Sequence, residues 1–210
     1  AGNDFVFGGA GDDRLYGQDG NDVIDAGAGR DVIDAGADDD RIIASRFDGD
    51  DVIEGGDGND TLDLSAITDS LTIDLGGPGF GFLQSEQAGN DTLRSIENII
   101  GGAGDDTIVA GGETNVLIGG IGEDSFVFRS MEAANGASIA DFQPGDRIDI
   151  TAIGANLGLG DTQPFSLVFD QGVFSAAGQV MFRHEQRADG EHTILEGNVD
   201  GDAAAEFSID

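Results

Sequence analysis

The sequence predicts an all-β protein, a parallel β-roll finished by a C-terminal antiparallel β cap, on three observations. A nine-residue unit recurs between Gly8 and Val127. Glycine supplies 36 of the 210 residues and proline only 3, so the glycines serve tight turns and not a proline-rich linker. Each unit also carries one large apolar residue at a constant place with outward-facing neighbours on either side, the period-two mark of a short half-buried strand.

Taken in order, the units are GGAGDDRLY, GQDGNDVID, AGAGRDVID and AGADDDRII, ending at Ile43, then RFDGDDVIE and GGDGNDTLD after Ala44 and Ser45, ending at Asp63. The frame returns at Gly101 with GGAGDDTIV, AGGETNVLI and GGIGEDSFV, ending at Val127. The opening AGNDFVF fills only the last seven places of the unit, so the sequence is expected to be a segment of a longer protein. The form is G-G-x-G-x-D-x-U-x, where U is large and apolar: Val6, Leu15, Ile24, Ile33, Ile42, Ile53, Leu62, Ile108, Leu117 and Phe126. Glycines at the first, second and fourth places permit left-handed backbone and close packing in a six-residue turn. Two units then complete one circuit, and circuits stack about 4.8 Å apart. Residues 1–63 form the first roll block, and residues 101–127 form the second.

Between them, residues 64–100 keep only traces of the frame, in LSAITDSLT and TLRSIENII, and read as rungs without metal. LTIDL (Leu71 to Leu75) alternates as a strand, and Gly76 to Asp91 reads as a loop leaving the roll. Residues 128–210 are the cap that a solenoid needs over its last open rung. Ile139–Ile150, Ser166–Phe169, Gly178–Glu185, His192–Val199 and Glu206–Asp210 supply its strands.

Charge narrows the function. All nine basic residues are Arg, against 42 acidic ones, for a net charge of −33. That balance excludes nucleic-acid binding as a main role, which needs a positive surface. No Cys is present, so disulfides, thiolate zinc sites and thiol catalysis are excluded. No apolar run approaches the roughly 18 residues of a transmembrane segment. A hydrophobic content of 39% suits a thin core, but this charge opposes collapse unless cations offset it.

The repeat places those cations. The sixth place holds Asp4, Asp13, Asp22, Asp31, Asp40, Asp51, Asp60, Asp106 and Asp124, with Asn115 the exception. Turns on one edge come from alternate units, so Asp4, Asp22 and Asp40 line one edge and Asp13 and Asp31 the other. Asp51 continues the second edge if Ala44–Ser45 is absorbed as a bulge. Carbonyls of the turns, which contain Gly8, Gly11, Gly17, Gly20, Gly29, Gly49, Gly58, Gly101, Gly104, Gly119 and Gly122, face the same gaps. A flexible, anionic oxygen cage suits Ca²⁺, which takes about six to eight oxygens, better than Mg²⁺ or a soft metal.

These units resemble the Ca²⁺-binding nonapeptide repeats of RTX proteins. The resemblance implies ions between turn n and turn n+2, at Asp4/Asp22, Asp22/Asp40, Asp13/Asp31, Asp31/Asp51, Asp40/Asp60 and Asp106/Asp124, about six in all. At Glu97 and its partner Asn115 a metal is not expected. From Thr61 to Asp210, and above all in DFQPGDRIDI and ILEGNVDGDAAAEFSI, the chain is similar to the C-terminal region of serralysin-type secreted metalloproteases. That likeness implies a secreted, calcium-dependent domain that passes through type I secretion machinery behind an N-terminal catalytic or adhesive domain. Tails of adhesins, surface-layer proteins, lipases and polysaccharide-modifying enzymes share such repeats and remain alternatives.

Catalysis within the chain is not expected. His184–Glu185 starts an H-E-x-x-H, but Ala188 stands where the second His belongs. His192 reads as an exposed strand residue. NVDGDAAAE resembles the opening of an EF-hand loop, yet Ile209 takes the place of the bidentate Glu, and a β-turn is favoured. Paired carboxylates such as Asp105/Asp106 recur in unit after unit, which favours a structural role. Phe5, Phe7, Phe126, Phe128 and Phe142 are expected in the core or the cap.

Overall fold

The computed structural model describes residues 2–77, 80–112, 114–154, 164–168 and 174–210. Ala1, Pro78, Gly79, Glu113 and Phe169, which figure in the readings above, lie outside the described residues.

Chain order gives β1 (Phe5–Ala10), β2 (Arg14–Asp19), β3 (Val23–Ala28), β4 (Val32–Ala37), β5 (Arg41–Ile43), β6 (Val52–Asp57), β7 (Thr61–Asp63), β8 (Thr72–Asp74), β9 (Gly81–Ser85) and β10 (Gly89–Arg94). It continues with β11 (Asn98–Ile100), β12 (Thr107–Val109), β13 (Val116–Ile118), β14 (Ser125–Val127), α1 (Met131–Ala134), β15 (Ser138–Ile139), β16 (Arg147–Asp149), β17 (Ser166–Leu167), β18 (Gln179–Gln186), β19 (Glu191–Asn198) and β20 (Phe207–Ile209). Successive repeat strands alternate between two sheets. One runs β1-β3-β5-β7-β11-β13-β15, the other β16-β14-β12-β8-β9-β10-β6-β4-β2. Pairing between repeats is parallel and in register, as in Ile24↔Ile42 and Ile33↔Ile53, so the 44–45 insertion is absorbed without a slip.

This arrangement is a parallel β-roll with a C-terminal sheet that is antiparallel except for the parallel pair β17–β18, the predicted all-β architecture. Its core is the row of eighth-place side chains: Ile24, Ile42, Leu62, Ile99 and Leu117 from one sheet meet Ile33, Ile53, Leu93, Ile73, Ile108 and Phe126 from the other, all almost fully buried. A period of two leaves each short strand one inward residue, which is why few large apolar residues suffice. Strands β1 to β4 and β6 run six residues, longer than the three expected, because stacked identical turns continue the ladder into the glycines, as in Gly9↔Gly27 and Gly36↔Gly56.

The segment read as a loop leaving the roll is instead a hairpin within it. Strand β10 pairs parallel to β6 (Leu93↔Ile53), while β9 runs antiparallel to both β10 and β8. Strand β8 then returns to the parallel direction beside β12 (Ile73↔Ile108). Leu83 of β9 is fully buried, so the hairpin fills the core where the repeat lapses. The sequence reading missed this because Gly76–Gly81 looks like an exit and only the apolar inward residues Leu83 and Leu93 betray the strands.

Aromatic positions split. Phe126 and Phe128 are buried, but Phe5 and Phe7 are 59% and 66% exposed and stack on each other at 4.6 Å between centroids, and Phe142 is 51% exposed. Phe5 and Phe7 flank inward Val6, so strand alternation turns both outward.

A short helix that sequence gave no sign of, α1, follows the last repeat; the Ser130 hydroxyl caps it by accepting the Ala133 N–H. Ile139–Ile150, expected as a cap strand, instead supplies β15 and β16, which extend the two roll sheets parallel to β13 and β14; the later tail strands fall close to the expected segments and form the sheet β17-β18-β19-β20. Strand β20 belongs to the cap and also closes the roll. Asp210 donates to the Ala137 carbonyl, Ile139 to the Asp210 carbonyl and Gly136 to the Ser208 carbonyl, which satisfies an otherwise open strand edge.

Candidate metal centres

Each turn delivers its sixth-place carboxylate to the same point of the circuit, where a backbone N–H from the neighbouring circuit fixes one oxygen. On one edge Asp4 N–H donates to Asp22 Oδ1 at 2.7 Å, Asp22 to Asp40 at 2.7 Å and Asp40 to Asp60 at 2.9 Å. On the other, Asp13 donates to Asp31 and Asp31 to Asp51, both at 2.8 Å. In the second block Asp106 donates to Asp124 at 2.9 Å. All six pairs expected from the sequence are therefore brought together, in two vertical ladders along the first block and a further one in the second.

The second oxygens carry the chemistry. In Asp13, Asp22, Asp31, Asp40, Asp60 and Asp124, Oδ2 is buried and has no hydrogen-bond partner among the described residues. Leaving a charged oxygen dry and unpaired is costly, so such a row needs cations. Backbone oxygens converge on the same gaps. The fourth-place carbonyls of Gly11, Gly29 and Gly104 point up the stack at Gly29, Gly49 and Gly122, where a Cβ would collide with them. Gly20 and Gly58 stand in the same way over the Gly2 and Asp38 carbonyls. First-place Gly17 is jammed between the Ala35 carbonyl and Asp22 Oδ2; Gly8, Gly101 and Gly119 likewise sit against the carboxylates of Asp13, Asp106 and Asp124. At Gly17 glycine is required by this crowding, not by a left-handed φ, whereas Gly29 needs both its φ of +149° and the missing Cβ. An all-oxygen set of carboxylates and carbonyls fits Ca²⁺.

Two departures define the limits of the ladder. Asp106 is more satisfied than the rest, since its Oδ1 accepts from Leu71 at 2.9 Å and its Oδ2 from Gly102 at 3.2 Å. Asn115 brings no charge: its side-chain NH₂ donates to the Glu97 carbonyl at 2.7 Å and its oxygen accepts from Gly111 at 3.0 Å, closing with hydrogen bonds the gap where no metal was expected.

Two ladder members, Asp91 and Asp146, escaped the sequence reading, and Glu97, read there as a sixth-place residue, joins the ladder through Asp60. Asp51 N–H donates to Asp91 Oδ1 at 2.8 Å, Asp60 N–H to Glu97 Oε2 at 2.9 Å and Asp124 N–H to Asp146 Oδ1 at 3.0 Å. Asp91 had a signal: EQAGNDTLR (Glu86 to Arg94) keeps the fourth-place Gly, the sixth-place Asp and the eighth-place Leu. Asp146 ends QPGD directly before β16, the same Gly-x-to-strand pattern with its turn shortened.

Burial raises these carboxylates above the ordinary carboxylate range, with like-charged neighbours adding to it: Asp51 and Asp106 to about 6, Asp60 to about 7 and Asp91 to about 8, and Asp40 and Asp124 upward as well. A carboxylate whose pKa is higher in the folded than in the unfolded chain stabilises the fold in acid. That contribution is complete below about pH 4 and is lost as pH climbs through about 6 to 8. The metal-free chain is therefore expected to melt at a higher temperature at pH 5 than at pH 8, whereas calcium affinity falls over the same acid shift because protons compete for the oxygens. Thermal melts in chelator at both values check this, and a metal-free melting temperature that rises with pH rejects it.

The remaining candidates lie in the C-terminal sheet and its connections. His184 and Glu185 lie exposed on β18, a strand and not a helix; His184 pairs with Thr193 and Glu185 with Arg183 and Arg187. His192 is half-buried, not exposed as expected, held between Asp210 at 2.9 Å and Asp189 at 3.0 Å, and those partners raise its pKa, Asp210 foremost. In the EF-hand-like stretch Asn198, Asp200 and Asp202 accept from the amides of Gly201, Asp202 and Ala204, and the carboxylate oxygens of Asp200, Asp202 and Glu206 lie within 4.8 Å of one another.

Compared with known families, the chain matches the RTX calcium-binding nonapeptide repeat in four copies, over residues 1–33, 16–48, 48–66 and 94–126. The chain carries an RTX calcium-binding β-roll. The matches cover the six aspartate pairs expected from the sequence, and the stretch between residues 66 and 94, which falls outside them, contains the hairpin and Asp91. No curated protein matches the chain. RTX repeats of this kind form a structural calcium-binding fold of secreted proteins, and among the described residues no helix is long and apolar enough to cross a membrane.

Proposed function

We propose that this RTX domain is a folding switch of a larger exported protein: unfolded in the calcium-poor cytosol, threaded through type I secretion machinery, and folded outside when calcium fills the ladders. The observation that carries this is the row of buried, unpartnered carboxylate oxygens, which makes the folded chain unfavourable without cations and favourable with them. The ligands are the sixth-place aspartates, from Asp4 to Asp124, with turn carbonyls, and the pairs number about six. The C-terminal sheet serves as the cap that stops the roll from adding further strands. The likeness of DFQPGDRIDI and of the final hairpin to serralysin-type tails favours a secreted zinc protease as the parent, with the catalytic domain on the N-terminal side.

Such a switch must respond between cytosolic and extracellular calcium. Strand circular dichroism titrated with calcium at pH 7.5 is expected to give a cooperative midpoint near about 10⁻⁴–10⁻³ M, the range of extracellular modules. A midpoint within or below the roughly 10⁻⁷–10⁻⁵ M range of cytosolic sensors would mean folding before export, and the proposal fails.

A further inference from the structure

The seam between cap and roll runs through Asp210, which donates its amide to Ala137 and accepts from Ile139. Its side chain is the meeting point of a charge cluster on the β18–β19 hairpin. His192 Nδ1 lies 2.9 and 3.0 Å from the two Asp210 carboxylate oxygens, and Arg187 pairs with the same carboxylate. His192 Nε2 lies 3.0 Å from Asp189 Oδ1. A neutral imidazole donates through one nitrogen and accepts through the other, whereas an ionised carboxylate only accepts. Two ring nitrogens that both face carboxylates are both satisfied only in the imidazolium form.

The surroundings hold that charge in place. Glu185 stands opposite His192 on β18 and binds Arg183 and Arg187, Glu191 precedes it on β19, and nearby His184 bonds Thr193. From the roll, the residues that share a hollow with His192 and Asp210 are apolar: Ile139, Phe142, Ile148 and Ile150. Strand alternation on β16 sends Arg147 and Asp149 to the face opposite Ile148. The ring thus meets the carboxylates of Glu185, Asp189, Glu191 and Asp210 against the two guanidinium groups of Arg183 and Arg187.

We propose that His192 is a proton-operated latch on this seam: as imidazolium it clamps Asp210 and steadies β20 between cap and roll, and on losing its proton it lets the seam open. The favourable partners, Asp210 foremost, raise the ring's pKa above its ordinary 6.5. The latch therefore contributes in full below about pH 6.5, and its contribution is lost as pH rises through the raised value. Calcium binding runs the other way, because protons compete for the ladder oxygens. Rising pH tightens the roll and loosens its cap.

Nitrogen NMR of the His192 ring in the full chain, folded in saturating calcium, is expected to show both nitrogens protonated at pH 6 and a titration midpoint above 6.5. Between pH 6 and pH 9 the protection factors of the Gly136, Ile139 and Asp210 amides should fall by about threefold or more, while those of residues 14–37 do not fall. His192→Gln keeps a neutral donor beside Asp210 and should abolish this pH dependence, with protection fixed near the level of wild type at pH 9. A wild-type midpoint at or below 6.5, or protection at the three amides that ignores pH, overturns the proposal. So does a His192→Gln chain whose seam responds to pH as wild type does. Should that variant not fold, the wild-type midpoint and exchange decide the matter.

Discussion

Stripped of calcium at pH 8, the chain is expected to lose most of its strand circular dichroism and to regain it when calcium is restored. The magnitudes make this decisive. At ten times its dissociation constant each ion contributes about 1.4 kcal/mol, and about six ions contribute roughly 8 kcal/mol. Whole-domain stabilities are about 5–15 kcal/mol, so the ions account for a share comparable to the total. The core cannot replace them. Each circuit buries two large apolar side chains, such as Ile24 and Ile33, and the rest of the circuit is glycine-rich turn. At pH 8 the acid-side stabilisation of Asp51, Asp60 and Asp106 has also faded, which leaves the ladder carboxylates to repel one another. Strand signal that persists unchanged in chelator at this pH refutes the switch.

Asp31→Asn should show the second largest effect, with a sign that depends on calcium. Asp31 is fully buried and sits mid-ladder, with Oδ1 accepting from Asp13 and its own N–H donating to Asp51. The substitution keeps the acceptor but turns the unpartnered Oδ2 into an amide that donates toward the gap or loses its charge there. Two ion sites, Asp13/Asp31 and Asp31/Asp51, are damaged together. Stability in calcium at ten times the dissociation constant should fall by about 3 kcal/mol, the contribution of two ions. In chelator the variant should be as stable as wild type or more so, because one repelling charge has gone. Asp34→Asn, at an exposed outward position on β4, should change neither. Denaturant unfolding of the three chains in calcium, and in chelator at pH 5 where protonated ladder carboxylates stabilise the metal-free fold, reads this out. An equal loss for Asp31→Asn in both conditions would show a purely structural carboxylate.

The hairpin shows where one-dimensional periodicity stops being informative. Repeat strands could be read because every turn poses the same problem: a glycine where a carbonyl from the next circuit leaves no room, an aspartate where a bare amide waits, and one apolar residue for the core. Gly29, Asp31 and Ile33 each answer a constraint that recurs every eighteen residues, so the pattern alone located the ladders. Residues 81–85 meet the same sheet in the opposite direction, and antiparallel β9 has no reason to repeat the spacing of its neighbours. Leu83 and Gly81 carry no signature beyond alternation, and Asp91 retained the fourth, sixth and eighth places of a unit whose preceding strand had been replaced.

What the sequence by itself determined was therefore the local and periodic part of this protein: the turn chemistry, the inward residues, the all-oxygen ligand class and the spacing of its carboxylates. Tertiary structure alone decided which distant turns stack across the interruption, that Asp91 and Asp146 complete ladders, that Phe5 and Phe7 face outward, and that β20 closes both the cap and the roll. The physical reason is that repeat contacts act between segments a constant number of residues apart and so leave a period to read. Contacts such as Asp51 with Asp91, or Ala137 with Asp210, occur once each, and only the packed chain brings those residues together.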